Sequence, residues 1–330
     1  MSEIYDLTRE FNQDKRLDKI NATIGVIIKD DGKPYVMDCV KQAIKSLSYC
    51  NFNYLPIAGD ANYLKAVKEF LGLYDYKIQG TCGGTNALYL WVQLQKDKRI
   101  IIMEPTWENH YQIFSDYEIK NLLTSTFDEL KETLKAYSEV TVLYQIVDNP
   151  TGNYFKIDQW KELSKFSNPV LFDVPYLGLG EGLKEDLYPI KLFKDKDMSV
   201  AISFSKIMTL YQHRVGALLT KRDWDMEGLF RKVNSTPPAF GELIVADVLR
   251  NNYFEWRNQL NRIREMIDRR REVFKIDGFG LYSLLPYNKR YIEKLKKDHG
   301  IYLLSNGRIN FGGITLKQAE KIKEVLCLNG

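Results

Sequence analysis

The sequence contains few of the residues that ligate metals. Three histidines and four cysteines are spread over 330 residues, and no two cysteines form a CxxC pair. Because structural zinc and iron–sulfur sites need clustered cysteine and histidine ligands, we predict no metal site. We expect the cysteines to be reduced and mostly buried; they are Cys39, Cys50, Cys82 and Cys327.

The sequence also lacks a long apolar run and a strong excess of one charge. No window approaches the roughly 18 apolar residues that suggest a membrane span, and the first residues, MSEIYDLTREFNQDKR, are charged throughout. Lysine and arginine total 47 against 43 acidic residues, and the net charge of +4 is spread along the chain. We therefore predict a cytoplasmic protein that binds neither nucleic acid nor membranes, although a small anionic ligand fits this charge.

Short apolar runs alternate with amphipathic segments through the middle of the chain. Short, continuous apolar runs are typical of strands buried in a parallel sheet, and the segments between them have helical spacing. The alternation predicts an α/β fold with helices on both faces of a largely parallel sheet. The predicted strands are 99–103, 140–144, 169–173, 198–202 and 215–219, and the predicted helices are 85–96, 107–114 and 156–166.

The pattern changes after a long predicted helix at 253–274. A charged helix at 288–299, a strand at 301–304 and a last helix at 315–328 follow it. A chain of 330 residues is long enough for two domains. We predict a large domain over 36–262 and a smaller α+β domain formed by 1–35 and 263–330.

Polar residues follow the predicted strands, at the edge of an open α/β sheet where ligands bind. DNPTG (148–152), DVPY (173–176) and SFSK (203–206) come after three of them, and the glycine turn CGGTNA (82–87) opens a helix. Each motif alone has a structural explanation: Asp173 as a helix cap, Asn149 in a β-turn, and Lys206 as a solvated charge.

Pyridoxal phosphate is a cofactor that needs this combination. Its aldehyde forms a Schiff base with a lysine, its pyridine nitrogen pairs with a carboxylate, and its phosphate is held by amides and cations. Lys206, Asp173 and the turn at Gly83, Gly84 and Thr85 supply these groups. The remaining candidates are Tyr176 and Asn149 for the phenolic oxygen, Arg214, Ser203 and Ser205 for the phosphate, and Trp107 for stacking on the ring.

The chain resembles the aspartate and aromatic aminotransferases, class I enzymes of fold type I, almost from end to end. The motifs that carry the resemblance are NYLPIAG (53–59), PTWENH (105–110), DNPTG (148–152), FDVPYLG (172–178), SFSK (203–206), YQHRVG (211–216), STPPAFG (235–241) and NGRIN (306–310). The resemblance implies a seven-stranded, mostly parallel sheet in the large domain. It also implies transamination through a Lys206 Schiff base and a pyridoxamine form of the cofactor.

The resemblance further implies a role for each matching residue. Lys206, Asp173 and Tyr176 are then the catalytic residues, with His110 behind Asp173. Tyr54 would reach the phosphate in the neighbouring subunit of a homodimer that shares its sites. Arg308 would grip the substrate α-carboxylate, and Arg231 of the neighbouring subunit would bind a side-chain carboxylate. The implied substrate-binding residues are Arg308, Arg231, Gly25, Trp107 and Asn149.

The sequence departs from this family in length and at the phosphate turn. It is shorter than usual, so we expect a reduced N-terminal arm, which leaves the strength of the dimer open. Gly83 replaces a commoner serine, and Asn234 and Thr236 replace tyrosine and asparagine beside Ser235, which suggests a lower phosphate affinity. The preferred substrate stays open between dicarboxylic and aromatic amino acids. A binding module without catalysis is the other alternative, which the presence of Lys206, Asp173 and Arg308 disfavours.

Overall fold

The apolar runs in the middle of the chain form neighbouring strands of one sheet. A computed structural model describes residues 3–47, 53–117 and 123–328. Its strands are β1 (Ile20–Asn21), β2 (Lys77–Thr81), β3 (Ile100–Met103), β4 (Leu123–Thr124), β5 (Thr141–Gln145), β6 (Val170–Val174), β7 (Met198–Ser203), β8 (Gly216–Thr220), β9 (Tyr282–Leu284), β10 (Ile301–Tyr302) and β11 (Arg308–Asn310).

The amphipathic segments form helices, several of which have polar N-caps. Asp60 and Asn288, for example, accept backbone N–H groups at the starts of two helices. The helices are α1 (Glu3–Gln13), α2 (Asp38–Ser46), α3 (Ala61–Leu71), α4 (Gly84–Leu94), α5 (Glu108–Ile113), α6 (Phe127–Ala136), α7 (Ile157–Leu163), α8 (Leu183–Asp186), α9 (Tyr188–Phe193), α10 (Phe204–Ile207), α11 (Met226–Asn234), α12 (Ala239–Asn251), α13 (Tyr253–Glu272), α14 (Lys289–His299) and α15 (Leu316–Leu328).

The main sheet has seven strands in the order β2-β8-β7-β6-β5-β3-β4. Among the strands formed by the described residues, only β8 runs antiparallel to its neighbours in this sheet. Thr81 of β2 and Ser203 of β7 both pair with Gly216 of β8, and Asp173 of β6 pairs with Ala201 of β7. The carboxyl ends of β2, β6 and β7 and the start of β8 therefore lie at one edge of the sheet. The prediction of a seven-stranded, mostly parallel sheet is confirmed.

The core of the sheet is packed with apolar side chains from α4. Leu88 and Trp91 of this helix are fully buried and join a cluster with Ile102, Leu171 and Leu218 from the strands. This packing fixes the start of α4 at the edge of the sheet described above, because the helix cannot rotate without exposing its apolar face.

The chain divides into two compact units. The first unit contains Met1–Tyr35, Asp148–Tyr154 and Asn261–Gly330, and the second contains Val36–Val147 and Phe155–Leu260. The second unit holds the seven-stranded sheet. The described residues of the first unit form two small sheets, β1 with β10 and β11 with β9.

The described cysteines differ in their exposure. Cys39 is buried, but Cys82 is half-buried and Cys327 is exposed, so the prediction of mostly buried thiols is wrong for the three cysteines that the structure describes. Cys50 lies outside the described residues. Within the described ranges there is no cluster of metal-ligating side chains. No helix in the described part of the chain is both long enough and apolar enough to cross a membrane.

Candidate active site

Lys206 lies where β7 ends and the short helix α10 begins. It is half-buried, and its Nζ atom lies 4.7 Å from the centre of the Tyr211 ring, a cation–π distance that holds the amine near one position. Oγ of Ser203 accepts the backbone N–H of Ser205 at 3.4 Å, which starts the turn of helix that carries the lysine. The backbone N–H of Thr209 closes the segment on the carbonyl oxygen of Lys206 at 3.3 Å.

Asp173 is a carboxylate on β6, a strand that is buried along its whole length. Its Oδ2 atom lies 3.0 Å from Nε2 of His110, and Nδ1 of His110 lies 2.8 Å from Oγ1 of Thr106. Since a carboxylate oxygen only accepts, Nε2 donates to Asp173, and in the neutral ring Nδ1 accepts from the Thr106 hydroxyl. Gln145 donates to Oγ1 of Thr106 at 3.2 Å. These four side chains, which we call the Asp173 series, fix the orientation of the carboxylate.

A glycine turn joins β2 to the N-terminus of α4. Gly83 has a φ of +86°, a left-handed conformation that favours glycine, and a Cβ atom there would lie 2.5 Å from Nη2 of Arg214. Nη1 of Arg214 donates to Oγ of Ser205 at 3.2 Å. A Cβ atom on Gly84 would lie 3.1 Å from Cβ of Ser203. A guanidinium, two hydroxyls and the start of an 11-residue helix thus meet in one place, which suits a phosphate group.

Arg308 and Asn149 lie together in the first unit. Arg308 is 3% exposed, and its Nη1 atom donates to Oδ1 of Asn149 at 3.4 Å. Its Nη2 atom donates to the carbonyl oxygen of Thr23 at 3.3 Å, and its guanidinium lies 4.5 Å from the centre of the Tyr282 ring. Among the described residues Arg308 forms no ion pair, and its Nε atom has no hydrogen-bond partner. A buried guanidinium with neutral partners is suited to an incoming carboxylate.

The other predicted site residues differ in exposure. Tyr176 is buried, three residues after Asp173, and Trp107 is half-buried at the N-cap of α5, with its ring centre 5.3 Å from that of His110. Two further residues are exposed: Tyr54, at 91%, and Arg231, on α11. At the start of α4, Gly84 is buried and Thr85 is exposed. Gly25 is half-buried in the first unit.

The sequence reasoning did not find Thr106 and Gln145. Thr106 precedes His110 by four residues, and Gln145 ends β5 in register with Asp173. Both signals are present in the sequence, but they become informative only once β5 is known to lie next to β6.

Asn234, which departs from the family pattern, contributes to the glycine turn between β2 and α4. Its Oδ1 atom accepts from Nδ2 of Asn86 at 3.2 Å, and Oδ1 of Asn86 accepts the backbone N–H of Cys82 at 3.1 Å. The end of α11 is thereby connected to the turn by hydrogen bonds.

The chain belongs to the family of class I and II aminotransferases, which matches residues 18–326. Aspartate aminotransferase of Haemophilus influenzae is 32% identical to it over 94% of this chain and 93% of the relative. The aromatic-amino-acid aminotransferase of Escherichia coli is 26% identical over 98% of this chain and 96% of the relative. The prediction of an aminotransferase of fold type I is confirmed.

Solved structures agree with this assignment. The aromatic-amino-acid aminotransferase of Burkholderia pseudomallei, covalently bound to pyridoxal phosphate, has a TM-score of 0.89 and 26% identity, and the match covers 99% of this chain and 96% of that chain. An aromatic amino acid aminotransferase with 3-indolebutyric acid has a TM-score of 0.90 and 26% identity, and the match covers 100% of this chain and 98% of that chain. Aspartate and aromatic enzymes are thus both similar to this chain.

Proposed function

We propose that this aminotransferase moves the amino group of aspartate or glutamate to a 2-oxo acid, with Lys206 and Asp173 at the reacting centre. The Asp173 series carries the proposal. A buried carboxylate is costly unless its hydrogen bonds are satisfied, and here a dedicated series of side chains holds it at the sheet edge where β7 leads into Lys206.

The cofactor is pyridoxal phosphate, which, when bound, withdraws electrons from the bond that breaks at the substrate Cα. The residues present fit it. Asp173 would hold the pyridine nitrogen, and Arg214, Ser203, Ser205 and the start of α4 would hold the phosphate. Trp107 would cover one face of the ring. The hydrogen bonds predicted from Asn149 and Tyr176 to the phenolic oxygen stay predictions.

Lys206 has two tasks in this proposal. Its amine would hold the cofactor aldehyde, and in its free form it would accept the proton from the substrate Cα and return one to the product side. Its half-buried position over the Tyr211 ring supports this, because an amine that moves freely in solvent would be a poorly placed base.

Arg308 would bind the α-carboxylate of the substrate. Its unpartnered Nε atom and neutral neighbours leave the charge of the guanidinium available for an anion. A planar guanidinium forms two parallel hydrogen bonds with a carboxylate, which orients the substrate as well as binding it.

We further propose a homodimer in which each subunit completes the site of the other. The exposed side chains of Tyr54 and Arg231 support it, because both project from the second unit rather than into its core. Tyr54 would reach the phosphate of the partner's cofactor, and Arg231 would bind the side-chain carboxylate of the partner's substrate. The preference for aspartate and glutamate depends on this second role.

The experiment that tests the function is an amino-donor panel with the purified holoenzyme. Aspartate, glutamate, phenylalanine and tyrosine are each supplied with 2-oxoglutarate or oxaloacetate, and product formation is measured. We expect turnover with aspartate and glutamate. Lys206→Ala should abolish it, whereas Lys191→Ala, on an exposed face of α9, should not. Retention of activity by Lys206→Ala would contradict the proposal.

Aromatic transamination is the second candidate function. The similarity to aromatic-amino-acid aminotransferases favours it, and the same panel decides, because an aromatic enzyme would turn over phenylalanine and tyrosine faster than aspartate. A cytoplasmic location also stays a prediction.

A further inference from the structure

A carboxyl group is fully buried on the inner face of α12. Glu242 is 0% exposed, and its Oε2 atom accepts the backbone N–H of Asp60 at 2.7 Å. Its Oε1 atom has no hydrogen-bond partner within the described residues. The chemistry proposed above does not use this side chain, and an unsatisfied buried carboxyl oxygen is costly, so its presence calls for a role.

Two glycines make room for this carboxyl group. A Cβ atom on Gly59, whose φ is +117°, would lie 2.9 Å from both carboxyl oxygens of Glu242. A Cβ atom on Gly80 would overlap with Oε1. Gly80 lies inside β2, where glycine weakens a strand and indicates close approach by another group. The carboxyl group of Glu242 therefore fills a slot between the loop 57–60 and β2.

The slot lies next to the contacts that hold this loop on the strand. The backbone N–H of Gly80 donates to the carbonyl oxygen of Ala58 at 2.7 Å, and Nε2 of Gln79 donates to the carbonyl oxygen of Ile57 at 2.6 Å. One residue further on, Thr81 ends β2 and the phosphate turn begins. The loop is also the continuation of the segment that carries Tyr54.

The surroundings of Glu242 favour the uncharged carboxyl. Burial, against the lowering effect of the hydrogen bond from the backbone N–H of Asp60 and with a contribution from the negative charge of Asp60, raises the pKa of Glu242 to about 8. The other titratable groups that face it are Tyr63 of α3 and Cys82 of the phosphate turn, and Glu242 contributes to raising the pKa of both. In the described part of the chain no lysine or arginine forms an ion pair with Glu242.

We propose that Glu242 is a positioning residue, whose carboxyl group holds the loop 57–60 through the N–H of Asp60, packs against Gly80 of β2, and thereby keeps the phosphate turn in the shape that binds the cofactor. This rests on the proposed function only in that the turn binds the phosphate. Ionisation of the carboxyl group loosens this contact, because a buried carboxylate without a cation is unstable, and the contact is therefore strongest at acidic and neutral pH.

The first test uses the apoprotein and does not depend on catalysis. A carboxyl group that stays protonated in the folded state to about pH 8 lowers stability progressively between its unfolded pKa and that value, since the unfolded chain releases the proton first. Glu242→Gln keeps an acceptor for the N–H of Asp60 and cannot ionise. We expect its Tm to rise relative to wild type from about pH 5 to about pH 8 and then stay constant. Parallel Tm curves would overturn the proposal.

Asp247→Asn is the matched control, because it makes the same change from acid to amide on the same helix. Asp247 is only half-buried, and its two oxygens accept from Asn251 and Asn252. Its Tm difference from wild type should not grow over that pH range. If the Tm difference between Asp247→Asn and wild type grew as much as that of Glu242→Gln, the pH dependence would come from α12 in general and not from the slot. That result would also overturn the proposal.

The second test measures the loop and the turn directly. Amide hydrogen exchange is measured for residues 57–60 and 79–81 in wild type and in Glu242→Gln at each pH. We expect the ratio of the wild-type rate to the variant rate to rise between pH 7 and pH 9.5. Over the same range the dissociation constant for pyridoxal phosphate should rise relative to that of Glu242→Gln. At pH 7, Glu242→Ala should raise the dissociation constant for pyridoxal phosphate about tenfold relative to wild type, and Glu242→Gln should raise it about twofold at most.

The outcomes separate the two proposals. Faster exchange without weaker cofactor binding would show that Glu242 holds the loop but does not position the turn, and the inference would fail while transamination could still be observed. An inactive wild-type protein that still shows the pH-dependent Tm difference, exchange and cofactor binding would contradict the proposed function and leave the role of Glu242 intact.

Discussion

Thr209 has a backbone conformation that threonine rarely adopts. Its φ is +53°, and left-handed geometry costs a residue with a Cβ atom about 1–2 kcal/mol. Its Oγ1 atom is also buried without a hydrogen-bond partner in the described ranges. Both costs occur three residues after Lys206, in the segment that closes on the lysine carbonyl. Strain of this kind is often found where a structure must present a functional group.

Thr209→Gly should therefore stabilise the protein. Glycine adopts a positive φ without strain, so we expect the free energy of unfolding to rise by about 1 kcal/mol, less the entropy that glycine adds to the unfolded chain. Chemical denaturation of the apoprotein measures this. Lys275→Gly is the control, because Lys275 has a φ of +54° and an unbranched side chain; its gain should be smaller. A less stable Thr209→Gly protein would show that the threonine has a compensating contact.

Arg231→Leu tests substrate specificity at a single side chain. If Arg231 binds the side-chain carboxylate, the substitution should lower kcat/KM for aspartate by a factor of about 100 or more, on the order of 3 kcal/mol. Turnover of phenylalanine should change little, because an aromatic side chain makes no ion pair. Lys232→Leu, at the next exposed position of α11, is the matched control. Equal losses for both substrates would contradict the assigned role.

At the scale of elements, the turn between β2 and α4 depends on a missing side chain. Gly83→Ala combines backbone strain at a φ of +86° with a methyl group 2.5 Å from Nη2 of Arg214. The guanidinium must move, so the dissociation constant for pyridoxal phosphate should rise about tenfold or more. Absorbance titration of the apoprotein with cofactor measures it.

Gly72→Ala is the control for strain alone. Gly72 has a φ of +70° at the C-cap of α3, and a Cβ atom at this position would have no neighbouring atom within 4 Å. It should lower stability by about 1 kcal/mol and leave cofactor binding unchanged. Similar affinity for both variants would mean that the space beside Arg214 does not matter for the phosphate.

The Asp173 series connects the end of β5 to the start of α5 and to β6. Thr106→Val removes the donor to Nδ1 of His110 and leaves that nitrogen unpaired in a buried position, which should lower kcat about tenfold with little effect on KM. Thr106→Ser keeps the hydroxyl and should retain most of the activity. A Thr106→Val enzyme with wild-type kcat would show that the orientation of Asp173 is secured without this series.

At the scale of the whole molecule, shared sites predict complementation between two inactive variants. In a hybrid of Lys206→Ala with Arg231→Leu, one site combines an intact Lys206 with the partner's intact Arg231. Random exchange of subunits should then restore about a quarter of wild-type aspartate activity, since half of the dimers are hybrids with one complete site. Mixing followed by an aspartate assay measures it. An unmixed sample of each variant is the control, and no recovery after verified exchange would contradict sites shared through Arg231.

Much of the fold and part of the site could be predicted from the sequence because they depend on local patterns. Continuous apolar runs indicated five of the strands within one or two residues, and the polar residues after them led to Lys206, Asp173 and Asn149. The strand β2 was not predicted, because its sequence, KIQGT, has a single apolar residue and ends in the glycine turn. The short edge strand β4 was also missed.

By itself the sequence determined the class of fold, the cofactor chemistry and the residues that end the strands, because periodicity decides which face of an element is buried. Only the tertiary structure decided which of those ends meet. Strand order decides that Gly216 pairs with both Thr81 and Ser203, and that Gln145 lies beside Asp173. Helix packing decides that Glu242 enters a slot formed by residues more than 160 positions earlier in the chain. Such contacts have no local pattern, since their stabilising energy appears only after distant segments have come together.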